Sequence, residues 1–306
     1  MGLSASHLLR EDQTLFFCVG AQKSGTTWLY DYLLGHPEVA LTHLKELTYF
    51  TELYAPRGSG WSPLVAAIPM RLKRAQARYQ LEKRMRGVGR RNRWASLAEA
   101  MTSPQGYPEV MCQEVTAETR ATGDITPLYA TLGSDAFSEM AGMHFRTSVL
   151  FLMRDPVAWM WSQVRMDAGR RARRKQQDFA EAVAEIAEAS FTDPRYQRRA
   201  DYRGTIEALD RAFPDSDQHF FFYEALFEPG TIAAVCAALN ISYVPAEAQK
   251  RVHGSRKASM PGDWATRMRE ALEPQYRFIE QRFGDRVPAN WDLAPATATQ
   301  ERAADA

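Results

Sequence analysis

The chain has 306 residues, 45% of them hydrophobic, and a formal net charge of +1. This length and apolar content fit one large α/β domain, and the near-neutral charge leaves no whole-molecule field that would favour nucleic acid. The three cysteines are widely spaced and lack metal-ligand spacing, which fits a reducing compartment. No apolar run reaches the roughly 18 residues of a membrane span and no signal-peptide pattern is present, so a cytoplasmic location is expected.

The first predicted elements are a strand and a helix joined by a short loop. Residues 15–20 are apolar and rich in phenylalanine, which indicates a buried strand. Residues 26–34 carry apolar side chains at helical spacing, and Gly35 followed by Pro37 marks the end of that helix. A short second strand is expected at residues 39–41.

The loop between the first strand and helix has the composition of an anion-binding site. It combines a basic residue, a glycine and three hydroxyl residues, namely Lys23, Ser24, Gly25, Thr26 and Thr27. Backbone N–H groups, hydroxyls and an ammonium would converge at a helix N-terminus, where a phosphate or a sulfate binds. The loop is not a Walker A motif, which requires Gly-Lys-Ser/Thr. The alternative is an ordinary strand-to-helix turn with a threonine cap.

A second strand, turn and helix follow at residues 147–168. Residues 147–153 are continuously apolar or β-branched, as in a parallel strand covered on both faces. Arg154 ends that strand, Pro156 suits the first helical turn, and Ser162 lies about two turns later. Because ligands bind outside the carboxyl ends of parallel strands, the two turns suit a ligand with two separated anionic groups. The alternative is a surface arginine with an incidental serine.

The remaining pattern alternates helices with one more strand. Helical segments are predicted at residues 178–213, 228–239 and 264–283, with a restart at Pro274, and a strand at residues 218–223. Strands separated by helices indicate an α/β fold with a central parallel sheet flanked by helices. We expect one domain at residues 1–293, with a basic helical insertion at 57–95, and a disordered tail at 294–306.

Two of these motifs resemble a known family. The run from Lys23 to Leu29, Lys-Ser-Gly-Thr-Thr-Trp-Leu, resembles the 5'-phosphosulfate loop of sulfotransferases that use 3'-phosphoadenosine 5'-phosphosulfate (PAPS). Arg154-Asp155-Pro156-Val157 followed by Ser162 resembles their 3'-phosphate site, although Ala158-Trp159 replaces the usual Glu-Arg pair. The resemblance implies a P-loop-NTPase-like sulfotransferase fold and PAPS as co-substrate, and no metal is expected.

The same resemblance implies which residues bind the donor. They are Lys23, Ser24, Gly25, Thr26, Thr27, Trp28, Arg154, Ser162, Tyr223, Arg256 and Lys257. Tyr223 would lie near the adenine, because residues 222–226 are similar to the family's Tyr-Glu segment. Arg256 and Lys257 would close over the 3'-phosphate, as in the late loop of the cytosolic branch, although Ala258 replaces that loop's glycine. The alternative is an exposed basic pair.

Three residues are candidates for catalysis. Lys23 would stabilise charge on the leaving phosphate oxygen. The segment around Glu46 resembles the Lys-Glu-x-x-Tyr/Phe-Phe segment of carbohydrate sulfotransferases, which implies that Glu46 takes the acceptor proton. His43 competes for this role, because Thr42-His43-Leu44 resembles the segment that holds the base of the cytosolic branch. Glu46 as a solvated partner of Lys45 or Arg57 is the alternative.

The acceptor side is less defined. Residues 123–129 resemble a family segment beside the acceptor, which implies that Asp124 and Thr126 position it, but Ile125 stands where heparan-type enzymes have lysine. Residues 71–93 contain ten Lys or Arg and one acid, and residues 165–175 contain six and one. These runs fit an acidic glycan or anionic headgroup, or else a solvated basic helix. The pattern sets neither the acceptor nor the oligomeric state.

The sequence therefore predicts transfer of a sulfuryl group from PAPS to a hydroxyl or amine of a carbohydrate, lipid or small metabolite. Two other classes stay open. One is a nucleotide-dependent phosphotransferase of related fold, which the absence of Gly-Lys-Ser/Thr in the loop disfavours. The other is a catalytically silent nucleotide-binding protein, which the retained Lys23 and Glu46 disfavour.

Overall fold

A parallel β-sheet forms the centre of the protein. The computed structural model describes residues 4–42, 45–54, 106–246, 258, 260 and 262–291. Within these residues the sheet has five strands in the order β2-β3-β1-β4-β5, and every pair of neighbours is parallel. The strands are β1 (Thr14–Gly20), β2 (Val39–Ala40), β3 (Ala121–Ile125), β4 (Thr147–Met153) and β5 (Gln218–Phe222). The predicted α/β class and parallel sheet are confirmed.

Helices flank the sheet. Those in the described ranges are α1 (Thr26–Leu34), α2 (Tyr49–Tyr54), α3 (Gly106–Met111), α4 (Ser134–Ala141), α5 (Pro156–Lys175), α6 (Phe179–Ala189), α7 (Pro194–Ala200), α8 (Tyr202–Asp210), α9 (Pro229–Ala238), α10 (Trp264–Ala271) and α11 (Glu273–Phe283). The helix expected over 178–213 is three helices, because Asp193 and Asp201 each cap a new helix start. Of the helices described, none combines the length and apolarity needed to cross a membrane.

The central strands are buried because both faces of the sheet are covered. Leu15, Phe17 and Val19 of β1 pack into one apolar cluster, while Phe16 and Cys18 pack into another. This alternation follows from the two-residue period of a strand. The free thiol of Cys18 is fully buried, and this burial raises its pKa to about 12, so it packs as a small apolar side chain.

Strand β3 was not predicted, because its sequence Ala-Thr-Gly-Asp-Ile lacks the usual strand composition. Gly123 pairs with Phe16 of β1, and a Cβ atom at Gly123 would lie 2.0 Å from the Phe16 carbonyl oxygen. Glycine is therefore needed for β3 to approach β1 this closely. The pairing places Asp124 at the same sheet edge as the ends of β1 and β4.

Candidate active site

The loop after β1 is held in a conformation that requires glycine. Gly25 has φ +85°, and a Cβ atom there would lie 2.5 Å from Leu226 Cδ2 and 3.0 Å from Tyr223 Cδ2. Gly25 is also the N-cap residue of α1, and no side chain caps that helix. The expected alternative of a threonine cap is therefore wrong. The first N–H groups of α1 stay available at the loop, as anion binding requires.

Lys23 lies in this loop, and none of the described carboxylates is paired with it. Its ammonium is 3.9 Å from Met166 Sδ on α5, and it forms no ion pair with any carboxylate of the described ranges. Partial burial, together with the positive charges of Arg154 and Arg165, lowers the pKa of Lys23. A bound anion would reverse this repulsion, because an opposite charge favours the charged ammonium.

Arg154 joins the two predicted anion turns. Its Nη1 donates to the Lys23 carbonyl oxygen at 3.1 Å, and its guanidinium lies 4.7 Å from the centre of the Tyr223 ring. Its Nε is buried and has no hydrogen-bond partner among the described residues. Tyr202 holds the backbone here, since its hydroxyl donates to the Arg154 carbonyl at 3.0 Å. The carboxyl ends of β1 and β4 thus form one site.

The other residues predicted to bind the donor lie at different depths. Thr26 and Ser162 are nearly buried, the first at the start of α1 and the second on α5. Ser24 is fully buried, and its hydroxyl has no hydrogen-bond partner among the described residues. Trp28 packs in the apolar core, where it stacks on Tyr32 at a centroid distance of 5.6 Å. The structure thus brings Lys23, Gly25, Arg154 and Tyr223 together, while Trp28 lies in a packing position. Arg256 and Lys257 fall outside the described residues.

Glu46 lies close to the loop and is accessible. Its backbone has φ +61°, and its side chain is 45% exposed. Lys45 connects it to the loop, because the Lys45 ammonium is 3.5 Å from Glu46 Oε1 and donates to Thr27 Oγ1 at 2.5 Å. Glu46 also lines a pocket with Tyr30 and Asp124. The competing His43 lies outside the described part of the chain.

Asp124 is the centre of a buried hydrogen-bond network. Its carboxylate accepts from the hydroxyls of Tyr107, Tyr129 and Thr126, each at 2.7 Å. Burial raises the pKa of Asp124, whereas the three hydroxyls and a backbone hydrogen bond from Leu47 oppose the shift. Because Asp124 is only 2% exposed, these hydroxyls are the partners that satisfy it.

The same network holds the segment that carries Glu46. Thr126 Oγ1 and the Tyr129 hydroxyl accept hydrogen bonds from the backbone N–H groups of Thr48 and Phe50, both at 3.4 Å. Asp124 and Thr126, predicted to position the acceptor, therefore lie beneath the Glu46 segment and support it.

Two residues beside the candidate site were not assigned to it by sequence reasoning. Lys45 was named only as a neighbour of Glu46, and its contact with Thr27 spans 18 positions, so no local pattern reveals it. Arg165 lies one helical turn after Ser162, which is a signal that could have identified it. Its Nε is buried without a hydrogen-bond partner in the described ranges.

The distal part of the basic run on α5 is a solvated helix face. Arg173, Arg174 and Lys175 are exposed, and Arg171 pairs with Glu185. This part of the run fits the interpretation as a solvated basic helix. Arg165, at the other end of the run, lies close enough to Lys23 to affect its pKa. The more basic run at 71–93 lies outside the residues that the structure describes.

Comparison with known proteins identifies the family. The profile described as the sulfotransferase family matches residues 16–245. A sulfotransferase from Alicyclobacillus acidocaldarius is similar in structure, with a TM-score of 0.57, 19% identity, and coverage of 92% of this chain and 99% of that chain. The sulfotransferase domain of the curacin biosynthetic pathway has a TM-score of 0.46 and 16% identity, covering 76% of this chain and 75% of that one. The sulfotransferase domain of the Synechococcus PCC 7002 olefin synthase has a TM-score of 0.43 and 14% identity, covering 96% and 94%.

No curated protein matches the sequence. At 19% identity the Alicyclobacillus structure supports the fold alone. The family profile covers three quarters of the chain and includes most of β1, the Lys23 loop, Arg154 and Tyr223. The chain therefore belongs to the sulfotransferase family, a class of PAPS-dependent transferases.

Proposed function

We propose that the chain transfers a sulfuryl group from PAPS to a hydroxyl or amine of a carbohydrate, lipid or small metabolite, with Glu46 as the base. The observation that carries this proposal is the joining of two anion turns, in which Arg154 Nη1 donates to the Lys23 carbonyl at 3.1 Å. A donor with phosphate groups at its 5' and 3' positions would span these two turns.

The residues around the loop fit such a donor. Lys23 and the N–H groups of α1 would hold the phosphosulfate end, because this helix start carries no side-chain cap. Arg154 and Ser162 would hold the 3'-phosphate, and the buried Nε of Arg154 has no partner in the described chain. Tyr223, which borders both Gly25 and Arg154, would lie near the adenine.

The transfer needs one proton acceptor and stabilisation of one leaving oxygen. The acceptor oxygen or nitrogen forms a bond to sulfur while the bond between sulfur and the phosphate oxygen breaks. The acceptor proton moves to the Glu46 carboxylate, and the electron pair of the broken bond stays on the phosphate oxygen beside Lys23. The products are the sulfated acceptor and adenosine 3',5'-bisphosphate. Positioning and fixed charge would supply most of the rate, as in phosphoryl transfer.

Arg165 adds a third cation to the donor side of the site, beside Lys23 and Arg154. Burial and the nearby Arg154 lower the pKa of Arg165, which lies on the α5 side of the loop. No carboxylate among the described residues forms an ion pair with Arg165. Since Arg165 lies one helical turn after Ser162, the 3'-phosphate of the donor would supply the missing counter-charge.

Calorimetric titration tests the donor site. We expect micromolar binding of adenosine 3',5'-bisphosphate that Arg154→Ala weakens at least tenfold, and no comparable binding of ATP with Mg²⁺. Arg203→Ala is the matched control, since Arg203 forms an ion pair with Glu207 elsewhere on the surface. Transfer of labelled sulfate from PAPS to a panel of hydroxyl and amine acceptors then tests the reaction.

Two outcomes would contradict the proposal. Binding of ATP with Mg²⁺ and no response to the bisphosphate would favour a phosphotransferase. Bisphosphate binding without any sulfuryl transfer, to acceptor or to water, would favour a catalytically silent nucleotide-binding protein.

A further inference from the structure

We propose that Lys45 is a catalytic residue that contacts the sulfuryl group and supplies a second positive charge opposite Lys23, an inference that rests on the proposed function. The Lys45 ammonium lies 2.5 Å from Thr27 Oγ1 and 3.5 Å from Glu46 Oε1. It therefore stands between the phosphosulfate loop and the proposed base, where the group in transfer must pass.

The contact with Thr27 is the first argument. Lys45 can only donate, so the Thr27 oxygen accepts and the Thr27 hydroxyl proton must be donated elsewhere. Thr27 is the second residue of α1, beside the N–H groups that have no partner within the helix. An anionic oxygen at the start of α1 can thus receive the Thr27 hydroxyl, the helix N–H groups and the ammonium together.

The position of Lys45 is not explained by Glu46 alone. Thr27 is the nearer of the two partners, at 2.5 Å against 3.5 Å. The Glu46 side chain is 45% exposed, and an ion pair with so exposed a partner contributes little. The Lys45 side chain is only 22% exposed, so the protein keeps this ammonium close to the loop.

The two lysines approach the loop from different parts of the fold. The ammonium of Lys23 lies against Met166 on α5, the helix that follows β4. Lys45 belongs to the segment after β2, which lies beyond β3 in the sheet. Because β1 lies between β3 and β4, the ammoniums flank its carboxyl end from two sides. Charge on a group in transfer is stabilised best by such preorganised donors on both sides.

The test compares Lys45→Gln and Lys45→Arg with the wild type and with Arg203→Gln, a control that removes a cation from a remote ion pair. The first readout is calorimetric affinity for PAPS and for adenosine 3',5'-bisphosphate, which lacks the sulfuryl group. The second is slow hydrolysis of PAPS to the bisphosphate and sulfate, in which water is the acceptor and its proton goes to Glu46.

We expect Lys45→Gln to weaken PAPS binding about tenfold and to slow hydrolysis about 10²- to 10³-fold, the usual effect of removing one such donor. Affinity for the bisphosphate should stay within about twofold of the wild type, because the lost contact is with the sulfuryl group. Lys45→Arg should recover part of the rate, and Arg203→Gln should match the wild type.

Thr27→Val provides an independent variant. If Lys45 and Thr27 act on the same oxygen, the double variant with Lys45→Gln should lose less than the product of the two single losses.

Three results would overturn the inference. Hydrolysis in Lys45→Gln within about threefold of the wild type would remove the catalytic role. Equal losses of affinity for PAPS and for the bisphosphate would show that Lys45 only shapes the loop. A wild type that neither binds nor hydrolyses PAPS would overturn the proposed function and this inference together, so the two failures are distinguishable.

Discussion

The substitution Gly25→Ala tests the geometry of the Lys23 loop, because it adds a single methyl group at a position where the backbone and its neighbours leave no room for one. Its φ of +85° disfavours any residue with a Cβ atom, and that atom would lie 2.5 Å from Leu226 Cδ2. The left-handed conformation costs about 1–2 kcal/mol for an L-residue, and overpacking costs about 1–3 kcal/mol. We therefore expect Gly25→Ala to lower the free energy of unfolding by about 2–5 kcal/mol.

Two other glycines provide matched controls. Gly284 has φ +51°, and no atom of the described residues lies within 4 Å of its Cβ position, so Gly284→Ala carries only the conformational cost, about 1–3 kcal/mol. Gly230 lies exposed in the first turn of α9, where the described part of the chain leaves its Cβ position free of contacts, so Gly230→Ala should raise the free energy of unfolding by about 0.5–1 kcal/mol. All three substitutions add one methyl group. They differ only in the backbone conformation of the glycine and in the space around its Cβ position.

The assays are urea unfolding and bisphosphate titration on all three variants. Because Tyr223 also borders Gly25, Gly25→Ala should weaken bisphosphate binding at least tenfold, while the two control variants should bind like the wild type. The assignment of this loop geometry would be refuted if Gly25→Ala changed the free energy of unfolding by less than about 1 kcal/mol and left the bisphosphate affinity unchanged.

Three further predictions concern the base, the buried acid and the acceptor. Glu46→Gln should slow sulfuryl transfer about 10²- to 10⁴-fold with unchanged bisphosphate affinity, while His43→Ala should leave the transfer rate unchanged. A slow His43→Ala variant together with a fast Glu46→Gln variant would make His43 the base. Burial raises the pKa of Asp124, so the stability of the wild type relative to Asp124→Asn should be greatest below pH 3.8 and fall as pH rises through the higher folded-state pKa. Urea unfolding of both proteins across that range measures the difference, and a pH-independent difference would contradict the raised pKa. Arg71→Glu should raise the KM for an acidic acceptor in steady-state kinetics, and an unchanged KM would exclude the basic segment from docking.

The strands and helices with strong local patterns were predictable from sequence. Residues 147–153 were predicted and observed as a strand with the same bounds, because a continuous apolar run is stable only when both faces are covered. The helix at Thr26–Leu34 was also predicted with its bounds, since Gly35 and Pro37 end it locally. The prediction that the Lys23 loop binds an anion came from local composition in the same way.

The tertiary structure alone decided which distant groups meet. Strand β3 exists because Gly123 fits against the Phe16 carbonyl, a pairing that no local preference predicts. The Asp124 network and the Lys45 contact with Thr27 likewise join residues from separate elements. Sequence patterns report what each segment prefers on its own, whereas these contacts depend on the sheet order that brings the ends of β1, β3 and β4 to one edge.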